Sequence, residues 1–151
     1  MPKFEPKDPD FEAKVRDSFG KQTAMQSLGA VIGRVKPGSV EIEMPYRADF
    51  TQQHGFVHGG IVTAIVDSAC GYAALSLSVR ETQVLTVEYK VNFVAPARGD
   101  RLLARGEVVR SGSTITVCKG DVFAYEGKDE KLVASMLTTM MLMPNRSDLS
   151  G

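Results

Sequence analysis

The sequence predicts an α+β domain in which one long central helix is wrapped by a curved antiparallel sheet. Three observations predict it. The stretch from Ile61 to Val79 holds one charged side chain, Asp67, and is apolar on nearly every helical face, as an enclosed helix must be. The second half of the chain alternates with period two, the pattern of strands. Turn signals separate those strands at Gly99-Asp100, Ser111-Gly112-Ser113 and Glu126-Gly127-Lys128-Asp129. One helix followed by four consecutive strands is satisfied by an antiparallel sheet folded around the helix.

The elements follow in order. Asp8-Pro9-Asp10 marks a helix start, and a short helix is expected over 11–25, irregular near Gly20. Residues 30–35 and 40–44, separated by Pro37-Gly38, read as a hairpin. The polar stretch 45–57, broken by Gly55, is a loop, and the long helix opens at His58-Gly59-Gly60. Leu85, Val87, Tyr89, Val91 and Phe93 are expected on one face of the next strand, with Thr86, Glu88, Lys90 and Asn92 on the other. Pro96 ends that strand. Strands over 101–110, 114–125 and 131–143 complete the sheet, and Met136, Met140, Met141 and Met143 serve its packing. The chain thus divides into a helical extension over 1–24, one domain over 25–143 and a flexible tail over 144–151.

Composition narrows the function. The 151 residues suffice for one domain with a sizeable core. Eighteen basic residues balance eighteen acidic ones, so no net field draws the chain to nucleic acid or to an acidic membrane. Ile61 to Val79 has the length of a membrane span, but an aspartate midway is expensive in lipid. A buried core helix is the better reading. Cys70 and Cys118 have no metal-type spacing and read as free thiols in a reducing compartment. The charged N-terminal stretch lacks the apolar core of a secretion signal, so a cytoplasmic location is expected.

Asp67 is the residue that does not belong in such a helix. Burying a carboxylate without partners costs several kcal/mol. One reading is a structural aspartate bonded to Thr63 or to another chain. The sharper reading is a functional carboxylate whose reactivity depends on a dry, small-residue surround. Helical spacing puts Thr63 and Gly71 one turn either side of it, and Gly71 leaves room beside the acid for a substrate. His58-Gly59-Gly60 supplies the complement. The first N–H groups of a helix are unpaired, and the dipole makes that end attractive to negative charge. Such donors suit the oxyanion formed when a carbonyl is attacked.

These residues resemble a known family. The segment QQHGFVHGGIVTAIVDSACGYAAL, with TVEYKVNFVAPARGD after it, is similar to the hotdog-fold acyl-CoA thioesterases of the phenylacetic-acid-degradation (PaaI-like) type, over about residues 25–143. In that family a His-Gly-Gly turn opens the central helix and an acid follows nine residues after the histidine, the spacing of His58 and Asp67. The resemblance implies that Gln52 polarises the thioester, that the Gly59 N–H is the main oxyanion donor, and that Thr86 steadies the attacking water. Gln53 is adjacent and is the other amide available. The resemblance also implies a homodimer, or a tetramer made of two dimers. Each site then joins Asp67 of one chain to Gly59 and Gln52 of the other.

The reaction so implied is hydrolysis of an acyl-CoA to a free acid and CoA, with coenzyme A as part of the substrate and no cofactor or metal. Asp67 acts as general base towards water, or attacks directly to give an anhydride. His58 shapes the turn and orients the carbonyl-binding loop, or transfers a proton directly. Gly60, Gly71, Tyr72 and Phe56 border the substrate, and Arg98, Arg101 and Arg110 are candidates for the CoA phosphates. His54 and His58 are four apart, but the intervening glycines argue against a helical zinc pair. Two readings compete with hydrolysis. One is a hotdog acyl-thioester dehydratase or hydratase; the other is a non-catalytic acyl-CoA-binding protein.

Overall fold

The computed structural model describes residues 3–144. Beyond Pro144, the tail expected to be flexible lies outside the described residues. Two short helices, α1 (Phe11–Lys21) and α2 (Thr23–Ser27), precede a hairpin of β1 (Val31–Lys36) and β2 (Ser39–Pro45). After a loop containing one 3-10 turn (Ala48–Phe50) comes the long helix α3 (Gly59–Leu75). Then follow β3 (Thr82–Phe93), β4 (Arg101–Ser111), β5 (Ile115–Glu126) and β6 (Asp129–Pro144). The six strands form one antiparallel sheet in the order β1-β2-β4-β5-β6-β3.

The sheet curves around α3, which touches β2 through β6. Val62, Ile65, Val66, Ala69, Cys70, Ala73 and Ala74 of α3 are all fully buried, which accounts for the all-round apolar sequence of this helix. Two glycines let the helix come close. Gly106 and Gly120 face each other across β4 and β5. A Cβ on Gly106 would lie 2.4 Å from the Ala69 carbonyl carbon, and one on Gly120 would lie 2.5 Å from a Val66 methyl. The pair is a notch in the sheet into which the helix backbone fits.

Three expectations need correction. The helix stops at Leu75, before the apolar run ends at Val79. The Ser76 and Ser78 hydroxyls turn back to the carbonyls of Ala73 and Leu75, and Lys14 Nζ takes the carbonyls of Ser78 and Val79 at 3.1 Å. The expected 11–25 helix breaks at Gln22, whose extended backbone (φ −81°, ψ 92°) separates α1 from α2. Strand β3 does not alternate uniformly. A bulge between Thr86 and Glu88 shifts the register against β6, and a bulge flips the faces on either side of it. Thr86 therefore opposes buried Met140 and faces inwards, whereas Glu88 opposes Thr139 and bonds to its hydroxyl on the outer face. Tyr89, Val91 and Phe93 face the same side as Thr86, and Leu85 the opposite side, since directly paired residues share a face.

Candidate active site

The bulge delivers a hydroxyl to the buried acid. Thr86 Oγ1 donates to Asp67 Oδ1 at 2.8 Å. Asp67 is half-buried and, among the described residues, enters no ion pair. Removal from water pushes its carboxyl above the ordinary carboxylate range, and the Thr86 hydrogen bond draws it part of the way back. The structural alternative of a bond to Thr63 does not hold, because the Thr63 hydroxyl donates to the Gly59 carbonyl at 2.8 Å.

Asp67 opens onto a cleft of about 160 Å³, shared with Gly71, Tyr72, Thr86 and Met140. A Cβ built on Gly71 meets nothing within 4 Å, so the space expected beside the acid is present. The same cleft takes in Ser18 and Gln22 from the N-terminal segment, together with Ser68 and Gln83. Ser18, Gln22, Ser68 and Gln83 escaped sequence analysis because single uncharged polar residues carry no signal of their own. The only available hint was the break near Gly20.

The helix start forms a second cleft, of about 490 Å³, bordered by Gln52, Phe56, Gly59 and Phe93. His58 Nδ1 accepts the Gly60 N–H at 2.9 Å and caps the helix. The Gly59 N–H has no acceptor among the described residues and stands free at the positive end of the helix. A Cβ at Gly59 would meet the Phe93 ring at 3.0 Å, so glycine lets that ring approach the helix start. Gln52 holds the preceding loop. Its N–H bonds the Phe56 carbonyl at 2.9 Å, its carbonyl accepts from Gly55 at 3.1 Å, and its Oε1 accepts from the His54 N–H. With Oε1 engaged, the side-chain NH₂ is the end left to donate. Gln53 is exposed and borders neither cleft.

The arginines separate. Arg98 lies 5.9 Å from the Phe56 ring, on a depression that shares Phe56 and Pro96 with the Gly59 cleft. Arg101 pairs with Glu43 at 3.4 Å and stacks on Tyr125 at 4.1 Å, on the strand surface. Arg110 is exposed near the far end of β4, past a second bulge. Neither Arg101 nor Arg110 borders the Asp67 or Gly59 cleft. Among the described residues, no helix is long and apolar enough to cross a membrane.

Within one chain the two halves are apart. The Asp67 and Gly59 clefts share no bordering residue. Eight residues of helix separate the acid from the donor, or about 12 Å of rise.

Comparison with known proteins places this arrangement. A family model described as the thioesterase superfamily matches residues 54–131, which span the helix start, Asp67 and Thr86. A crystal structure of a thioesterase family protein from Silicibacter pomeroyi is 50% identical, with a TM-score of 0.88, over 89% of this chain and 99% of that one. Acyl-coenzyme A thioesterase 13 of Homo sapiens is 24% identical over 72% of this chain and 81% of its own. The PaaI protein of the E. coli phenylacetic acid degradation operon shares the fold, with a TM-score of 0.79 at 20% identity over 89% of this chain and 94% of that one. With a central helix held in a curved antiparallel sheet, an acid in its third turn and a free N–H at its start, this chain belongs to the thioesterase superfamily and has the hotdog fold.

Proposed function

We propose that this thioester hydrolase acts on acyl-CoA, with Asp67 as the carboxylate that activates water and the Gly59 N–H of a second copy as the oxyanion donor. The observation that carries this reading is the Thr86-bonded, desolvated Asp67 beside an open cleft, with no charge partner among the described residues. The thioester carbonyl sits against Gly59, with the Gln52 NH₂ adding a second donor. Asp67 takes a proton from a water that Thr86 helps to hold, and that water attacks the carbonyl carbon. As the tetrahedral intermediate collapses, the thiolate of CoA leaves and is protonated. His58 is a supporting residue, since its Nδ1 is spent on the helix cap. Direct attack by Asp67 with an anhydride intermediate is the alternative route on the same residues.

A second copy is required because reacting atoms must come within about 3–3.5 Å, and one chain keeps its two halves far apart. Strand β3 supplies the means. It is the edge of the sheet and is exposed over most of its length, including Leu85, Val87, Tyr89 and Phe93. An open apolar edge invites pairing. Thr86 lies beside Asp67 near one end of β3, and Phe93 lies beside Gly59 at the other. Antiparallel pairing of two β3 strands about a dyad near Tyr89 therefore brings Asp67 of one chain towards Gly59 of the other. Arg98, beside the Gly59 cleft, is the arginine best placed for the CoA phosphates.

The test is thiol release from a panel of acyl-CoAs. Asp67→Ala loses about a hundredfold or more in turnover, and Gln52→Ala loses about tenfold to a thousandfold. Both remain folded dimers by light scattering. Undiminished turnover in a folded Asp67→Ala dimer would remove the assignment, and hydration of enoyl-CoA without thiol release would favour a hydratase.

A further inference from the structure

We propose that the N-terminal helical segment is part of the substrate site, and that Gln22 is the stop that limits the enzyme to short acyl groups. The inference rests on the reading of Asp67 as the water-activating acid.

Ser18 and Gln22 border the cleft beside Asp67. CoA itself is many times larger than its volume of about 160 Å³, so the cleft takes the acyl side of the thioester. A cavity of about 150 Å³ is enough for benzene, which sets the scale at roughly six carbons. Leu75, Val84 and Met140 offer apolar wall to such a group.

Part of the cleft wall is a chain of hydrogen bonds centred on Gln22. Its Nε2 donates to Ser68 Oγ at 3.1 Å, and its Oε1 accepts from the Tyr72 hydroxyl at 3.2 Å. Ser18 Oγ in turn donates to the Tyr72 oxygen at 3.4 Å. These groups satisfy one another, which makes them a barrier rather than a recognition patch for a distal polar group. A longer chain has to part them and leave half-buried polar groups unpaired, which is unfavourable. The break between α1 and α2 falls at Gln22 itself, and its backbone carries the side chain across to α3.

The segment that holds Gln22 is anchored rather than loose. Val15 is fully buried, the Phe19 ring meets Tyr72 edge-on at 5.9 Å, and Lys14 Nζ binds the carbonyls of Ser78 and Val79. A stop built on an anchored element is a fixed length limit.

The experiment is kcat/KM for saturated acyl-CoAs from acetyl to hexadecanoyl, with wild type, Gln22→Ala, Tyr72→Phe and Asp67→Ala. Wild type is expected to peak at about four to six carbons and to fall about tenfold or more by decanoyl, the scale of discrimination that pocket contacts give. Gln22→Ala raises the decanoyl-to-butanoyl ratio about tenfold. Tyr72→Phe, which unties the glutamine without removing it, raises the ratio by a smaller factor and guards against a Gln22→Ala protein that does not fold. A wild type equally active on hexadecanoyl-CoA, or a ratio unmoved in the folded variants, overturns the length limit and leaves Asp67-dependent hydrolysis standing. Absence of Asp67-dependent hydrolysis across the series overturns the acyl-CoA reading and the length limit together.

Discussion

Replacing Gly71 by alanine should give a protein that folds better and works worse. Gly71 lies in the body of α3, where glycine is about 0.8–1.0 kcal/mol less favourable than alanine. An added Cβ has no neighbour within 4 Å, so no steric cost offsets that gain. For a domain of this size each kcal/mol moves Tm by about 2–4 °C, and the variant should melt about 2–4 °C higher. The same methyl projects into the cleft beside Asp67, where the acyl group is proposed to lie. One misplaced carbon in a hydrophobic pocket costs about 1–3 kcal/mol, or roughly 10–200-fold in kcat/KM. Differential scanning calorimetry and thiol release on the best acyl-CoA measure the two effects on one sample. A lower Tm would show that the space beside Gly71 is not open. A raised Tm with unchanged kcat/KM would show that the substrate does not use it.

Other substitutions test separate parts of the argument. Burial raises the folded-state pKa of Asp67, so the unfolded chain binds fewer protons there and stability declines as pH rises from the ordinary carboxylate value through the raised one. Asp67→Asn should therefore melt at or above wild type at pH 7, with the difference closing in acid; a clear loss of Tm at pH 7 would contradict this. Thr86→Val removes the hydroxyl that favours the charged carboxylate, so the acid limb of the pH–kcat/KM profile should move to higher pH, and an unmoved limb would argue against the contact. Gly106→Ala drives a methyl into the Ala69–Cys70 backbone at about 2.4–2.5 Å and should cost about 1–3 kcal/mol, as overpacking does, read as a lower denaturation midpoint.

Much of this was legible in the chain because its signals are local. The apolar run, the period-two strands and the turn residues each report a neighbourhood of a few residues. Asp67 and His58-Gly59-Gly60 stand out within one continuous segment, and the family resemblance picks out Gln52 beside them. Other features depend on the partner across the sheet. Thr86 reaches Asp67 only because a bulge turns that half of β3 inwards, and uniform alternation puts it with Glu88. The glycines at 106 and 120 matter because they oppose each other under the helix. Arg101 and Arg110 sit at suitable strand positions, yet pairing with β2 and β5 carries them along the strand surface, away from both clefts.

The sequence by itself determined that an enclosed helix carries a lone acid behind a glycine-rich start, since charge, apolarity and helical period are properties of neighbouring residues. Only the tertiary structure decided what that acid meets. Long-range register brought Thr86 to the carboxylate, and the docking of the N-terminal segment on α3 placed Gln22 at the border of its cleft. The length of α3 between them kept the acid and the Gly59 N–H in separate clefts, and the strand order left β3 at the edge of the sheet.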